Sequence, residues 1–316
     1  MIAANRDPKY DRLLQRAGRA LGTNSPVEAV RKVRAIVGAR HIPDSEVEAQ
    51  KALEALQNGN IPTPAQITAL EIVIRLMRPV MLTHGGALDD LPETANKDLQ
   101  PTELKDAWSA FRDKIRPYIG SIGRIEGDRN VHVGTGFVVG NGLIATNRHV
   151  LAVLTNGSEA LMAGAARIVF KQEAGAANSS ADIGEITEVA EIHPKKDIVI
   201  LRAVTGQRSP LEFADAIPNT GERIATIGFP GRDDVNNPLF LTSIFDGKFG
   251  VKSAALGEVL DGTEDTDIFH DCSTTQGNSG SPVFAVPSGK VAGIHRSGFF
   301  MYRNEAVGSP EITKLL

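Results

Sequence analysis

The run TTQGNSGSPVF, residues 274–284, places one hydroxyl, Ser279, between Gly277 and Gly280 and follows it with small residues, Pro282 and an apolar pair. Such freedom around one serine suits acyl transfer. That chemistry needs a base to take the serine proton, a carboxylate to hold the base, and amides pointed at the developing oxyanion. Gly277 can aim its N–H, with that of Ser279, into one small pocket, while Gly280 leaves room for a carbonyl to approach. Upstream, GTGFVVGNGLIATNRHV ends with His149 just after an apolar strand, and HPKKDIVIL sets Asp197 at the head of another.

The chain order is therefore His149, Asp197, Ser279. An α/β-hydrolase would instead carry Gly-x-Ser-x-Gly, with an acid and a histidine after the serine. Position 281 is Ser, and no acidic residue lies between Ser279 and His295, so that architecture is excluded. Singly, each residue has a structural explanation: a histidine ending a strand, a turn-forming aspartate, a glycine-rich loop. In this order they read as nucleophile, base and orienter.

TNRHV, the strand DIVIL and GNSGSPVF resemble the trypsin-like double-barrel serine peptidases. Within that family the chain from STTQGNSGSPVF to GIHRSG is most similar to the bacterial glutamyl endopeptidases, and the resemblance covers roughly residues 118–316. It implies Ser279 as nucleophile, His149 as general base and then acid, Asp197 as orienter of the imidazole, and the Gly277 and Ser279 amides as oxyanion hole. It also implies a pocket of Ser273, Thr274 and His295, in which Thr274 and His295 hold a substrate carboxylate and Arg296 is a candidate positive charge. An acidic preference is expected, with a small or apolar residue as the alternative. Ser273 lacks the charge that cleavage after Lys or Arg would want.

Two features depart from the family pattern. Members that mature by cleavage have an aspartate before the nucleophile, whereas this chain has Asn278, so activation by an amine–aspartate pair is not expected. A long extension also precedes the peptidase-like part, which distances Met1 from any role in the pocket.

That extension reads as helices. Ser25-Pro26-Val27-Glu28 and Thr63-Pro64-Ala65-Gln66 combine a capping hydroxyl, a first-turn proline and a box-closing Glu or Gln, and Ser45 with Glu48 makes a third start. Val27, Val30, Val33 and Val37 recur at helical spacing, as do Leu14, Ala17 and Leu21. Gly22, Gly38 and Gly59 mark helix ends. Further helices are expected over about 64–78 and 102–115. Residues 79–101 read as a connector. From Tyr118 onward short β-rich runs separated by glycines and polar turns predict an all-β unit. The expected fold is multidomain α and β: a small helical domain over 1–116, including the connector, then a double six-stranded barrel over 117–316.

Composition excludes other classes. Of 316 residues 41% are apolar and 23% charged, as in globular proteins. Residues 1–116 hold 17 Lys and Arg against 15 Asp and Glu, and the remainder 17 against 23, so no concentrated basic field for nucleic acid exists. No apolar run long enough for a membrane span and no export signal is evident, and the one cysteine, Cys272, fits a reducing compartment, so a cytoplasmic, bacterial setting is expected. His41, His84, His132, His193 and His270 lack metal-ligand spacing, and neither metal nor other cofactor is expected. GTGFVVG, residues 134–140, has neither the spacing nor the following helix of a nucleotide loop. The expected function is a serine endopeptidase acting on protein or peptide substrates, regulated through a protein partner of residues 1–116. The rival is a catalytically silent scaffold that binds proteins.

Overall fold

The computed structural model describes residues 7–37, 45–78, 80–91, 102–236, 238–260, 266–299 and 303–316. Helices α1 (Pro8–Leu21), α2 (Pro26–Val37), α3 (Ser45–Gln57) and α4 (Pro64–Leu76) come first, followed by β1 (Met81–His84), β2 (Ala87–Leu88) and α5 (Thr102–Ile115). Then come β3 (Ile122–Glu126), β4 (His132–Gly140), β5 (Leu143–Thr146), α6 (Arg148–Leu154), β6 (Ala166–Val169), β7 (Ile183–Ile192), β8 (Val199–Ala203) and β9 (Arg223–Gly228). The chain continues through α7 (Pro238–Phe245), β10 (Ser253–Glu258), β11 (Asp267–His270), β12 (Pro282–Ala285), β13 (Lys290–Phe299), β14 (Arg303–Gly308) and α8 (Ser309–Thr313).

Two compact units result, the first of Met1–Pro79, Leu91–Ala107 and Val235–Gly247, the second of Val80–Asp90, Trp108–Asp234 and Lys248–Leu316. The division thus differs from a single cut near Arg116: the β-rich unit also takes in residues 80–90 and the second half of α5.

In the helical unit the start signals act as their chemistry dictates. Thr63 accepts from the Gln66 amide at 3.3 Å while the Gln66 side chain accepts from the Thr63 amide at 2.9 Å, closing the box. At α2 the box is half made: Ser25 accepts from the Glu28 amide, but the Glu28 carboxylate takes the Thr23 hydroxyl instead. Gly22 ends α1 with φ +62°, where a side chain would be strained. Ala17, Leu21, Ala52, Leu56, Leu70 and Ile74 form buried apolar faces, whereas Val27, expected to share such a face, is 67% exposed and Ala29 is buried. Gly38 lies outside the described residues, and so do the side chains of Val30, Val33 and Val37.

The β-rich unit contains one closed barrel, in the order β3-β4-β5-β8-β7-β6. Its interior is filled by Ile125, Val138, Ile144, Ile168, Ile186, Val199 and Leu201 among others. Strands β9–β14 join β1 and β2 in an eight-stranded sheet, β11-β14-β13-β12-β9-β10-β1-β2, in place of the expected second six-stranded barrel. The last two strands come from the presumptive connector: Met81 pairs with Ala254 and Leu82 with Ser253. A turn at Gly85 and Gly86, both at positive φ, lets so short a hairpin close. Among the described residues no helix is long and apolar enough to cross a membrane.

The second half of α5 seals the β-rich unit's core. Trp108 donates its indole N–H to the Asp89 carbonyl at 3.0 Å and stacks at a tilt on Phe111, whose ring meets Phe284 of β12 edge-on at 5.8 Å. Phe111 is fully buried. Phe111→Ala should therefore destabilise the protein by about 3–5 kcal/mol, measured by denaturant unfolding, because a ring-sized cavity replaces close aromatic contacts.

Candidate active site

Strand β5 ends at Thr146, and the turn into α6 presents His149 at the rim of the closed barrel. Asn147, fully buried, donates its side-chain amide to the Asp197 carbonyl at 2.8 Å, fixing the segment before β8 beside that turn. The Asp197 carboxylate then meets the histidine twice: Oδ1 accepts from the His149 amide at 3.0 Å, and Oδ2 lies 2.7 Å from His149 Nδ1. A proton on Nδ1 completes that bond and leaves Nε2 with its lone pair, the state a general base requires. Burial pushes the Asp197 carboxyl upward, but hydrogen bonds from the His149 ring and amide and from the Arg148 amide outweigh it and hold the group below the usual carboxylate range.

Ser279 sits in a tight loop seated on β4. The Thr135 amide donates to the Ser279 carbonyl at 2.8 Å, the Thr135 hydroxyl to the Gly277 carbonyl at 2.8 Å, and the Gly280 amide to the His295 carbonyl at 2.9 Å. A Cβ on Gly280, whose φ is +86°, would collide with the Thr135 carbonyl and the Thr146 hydroxyl, so only glycine fits. Gly277 lies at φ +91°. The carbonyl before it, that of Gln276, accepts from the Gly231 amide at 2.5 Å, which in a trans peptide turns the Gly277 N–H the other way. Among the described residues neither the Gly277 nor the Ser279 amide has an acceptor.

The Ser279 hydroxyl makes one long contact, to the Arg296 carbonyl at 3.5 Å, and no hydrogen bond to His149 among the described residues. A bond that long is weak and leaves the rotor free to turn. Asn278 is buried and satisfied within its own loop, donating to the Thr275 carbonyl at 3.3 Å and facing the Ser281 hydroxyl at 3.5 Å, so the loop stands without an incoming amine.

The candidate pocket residues are brought together, though with their groups engaged. Ser273, Thr274 and His295 are buried. Thr274 donates its hydroxyl to Asn304 Oδ1 at 2.9 Å, and Asn304 Nδ2 donates to the Cys272 carbonyl at 2.5 Å. The Asn304 side chain lies directly on Gly298, where it would collide with any Cβ. Arg296 Nη2 is held by Glu305 at 2.9 Å and Asp267 at 3.2 Å, so its charge is neutralised on β11 and β14 instead of serving a substrate. His270 Nδ1 accepts from the Cys272 amide, which puts its proton on Nε2, 3.3 Å from His295 Nδ1. Burial, then the nearby imidazoles of His270 and His149, press His295 well below the ordinary histidine value, and it is neutral.

Sequence reasoning missed Thr135, Thr146, Gly231, Asn304 and His132. The signal for the first was present in GTG, since a hydroxyl between glycines invites backbone contacts. His132 packs against Gly277; burial foremost, then the positive field of Arg124, takes its imidazole down to about 4, so it adds no charge beside the oxyanion amides.

No curated protein matches the chain. Among solved structures it is similar to the serine endoprotease from Yersinia pestis, with TM-score 0.47 and 17% identity over 65% of this chain, and it spans 64% of that protein's length. It is also similar to Deg5, with TM-score 0.48, 20% identity, and 67% and 94% of the two chains covered. The active form of the Rv3671c protease from M. tuberculosis gives TM-score 0.45, 18% identity, and 64% and 82% covered. These likenesses are too distant to carry an argument about activity. The family comparison does carry one: the trypsin-like peptidase domain profile matches residues 134–294, just over half of the chain and the span from the strand seating the nucleophile loop to β13. The chain belongs to the trypsin-like peptidase domain family.

Proposed function

We propose that this peptidase is a serine endopeptidase in which Ser279 is the nucleophile, His149 its base and Asp197 the positioning carboxylate. The His149–Asp197 pair, 2.7 Å apart and aligned for one tautomer, carries the reading. Ser279 Oγ attacks the scissile carbonyl as its proton passes to His149 Nε2, and the carbonyl oxygen takes the negative charge toward the Gly277 and Ser279 amides. Collapse breaks the C–N bond, the same proton goes to the leaving amine, and water then hydrolyses the acyl-enzyme with His149 again as base. Asp197 stays ionised throughout, since its hydrogen bonds favour the charged form.

For the residue before the scissile bond we favour a small uncharged side chain. Asn304 fills the space between Thr274 and Gly298, and Arg296 is already paired with two carboxylates. A buried substrate carboxylate lacking a cation would cost several kcal/mol. The acidic preference draws its support from Thr274 and His295 lying buried together next to the nucleophile loop. Regulation through residues 1–116 and a cytoplasmic setting belong to the same proposal; the first rests on a separate compact helical unit and the second on Cys272 being the single cysteine.

Fluorophosphonate should label the intact protein at Ser279, with no adduct in Ser279→Ala and labelling slowed about 10³–10⁴-fold in Asp197→Asn, which stabilises the wrong tautomer. A folded chain that takes no label supports the silent scaffold instead.

Peptide-library cleavage should favour Ala, Ser or Thr over Glu before the scissile bond by about tenfold or more, and Asn304→Gly should admit larger residues. Preference for Glu in the parent protein would instead establish the acidic reading.

A further inference from the structure

A cavity with charged groups in its lining lies in the β-rich unit, apart from the His149–Asp197–Ser279 constellation. It measures about 330 Å³ and is lined by Gly85 and Gly86 of the hairpin turn, Ile119, Gly120, Phe170, Lys171, Glu173, Asp182, Arg208 and Lys252. That is the lower end of the size range for small-ligand sites.

Two of its charged groups are spent. Arg208 donates to the carbonyls of Gly120, Thr205 and Ala181 and lies over the Phe170 ring, while Asp182 accepts from the amide and hydroxyl of Ser179. Two others are not. Glu173 is 4% exposed; its Oε1 accepts from the Gly86 amide at 2.9 Å, but Oε2 is buried without any hydrogen-bond partner. Lys252, 1% exposed, donates to the carbonyls of Ile119 and Phe170, which uses two of an ammonium's three donors, and its Nζ lies 5.8 Å from the centre of the Phe229 ring, a contact weaker than a hydrogen bond to an anion. Burial lowers Lys252 to about 7, against the pull of Glu173, so its proton is retained most readily when an anion joins it.

A simple anion in this cavity would face Glu173 and Asp182, and a simple cation would face Lys171, Arg208 and Lys252. A ligand carrying both charges complements both unspent groups, and Ile119 and the Phe170 face offer apolar surface to a short side chain. We propose that this cavity binds a small zwitterion, a free α-amino acid, with its ammonium on Glu173 and its carboxylate on Lys252.

Calorimetric titration of the full chain with glycine, L-alanine and L-leucine, beside 3-methylbutylamine and 4-methylpentanoate, tests this. At least one amino acid should bind, and the two single-charge analogues of leucine should bind at least about tenfold more weakly than leucine. Glu173→Gln keeps the shape and should weaken the amino acid by about tenfold or more, with thermal unfolding confirming that it is folded. Absence of binding by all three amino acids overturns the proposal. So does an amine or acid that binds as well as leucine, or affinity unchanged in Glu173→Gln.

Discussion

The candidate site depends on a backbone-to-backbone seat: the nucleophile loop rests on β4 with no side chain between them at Gly280. Because no Cβ fits there, the Thr135 amide and hydroxyl reach the carbonyls of Ser279 and Gly277 directly. The same strand's Thr135 carbonyl accepts from the Thr146 hydroxyl at 2.7 Å, and Thr146 lies three residues before His149. One short stretch of packing thus sets Ser279, the Gly277 and Ser279 amides and the approach to His149, the groups of the proposed mechanism. Since the Gln276 carbonyl accepts from the Gly231 amide and the Asn278 carbonyl from the Ser281 amide, the Gly277 and Ser279 N–H groups, trans to them, point away from those partners.

Elements whose signal is local were readable before the structure. Thr63-Pro64-Ala65-Gln66 carries its own cap, and His149, Asp197 and Ser279 each sit in a run that restricts what the residue can be doing. Elements fixed by distant partners were not. The hairpin at 81–88 is too short to show a period, and its β1 strand gains its hydrogen bonds from residues about 170 positions later, at Lys252 and beyond. Asn304 meets Thr274 across thirty positions, so nothing around it announces a pocket filler. Val27 shows the limit of spacing alone: this valine on the expected stripe is exposed, while Ala29, off the stripe, is buried.

The engagement of Arg296 changes what the resemblance to glutamyl endopeptidases can mean. Sequence adjacency to His295 made its guanidinium a candidate for a substrate carboxylate. In the structure Asp267 and Glu305 on β11 and β14 flank it, Lys196 shares Asp267 at 3.1 Å and Arg303 shares Glu305 at 3.4 Å, so the guanidinium is held within an ion-pair network. Motif similarity conserves the chemistry of the nucleophile more tightly than the lining of the pocket, because a pocket can be refilled by one side chain from another strand.

What remains around the reacting centre is an electrostatic asymmetry. His132 and His295 flank the nucleophile loop as neutral imidazoles, both driven there chiefly by burial, while Asp197 is held ionised by its hydrogen bonds. The proposed reaction creates a cation on His149 and an anion at the Gly277 and Ser279 amides. A protonated His295 would oppose that cation, because His149 is near enough for its charge to press on His295, so keeping His295 buried and uncharged removes a penalty on the transition state. The Asp197 carboxylate and the loop amides then act on the two developing charges, one at each end of the proton transfer, without a third charge of the wrong sign from either flanking imidazole.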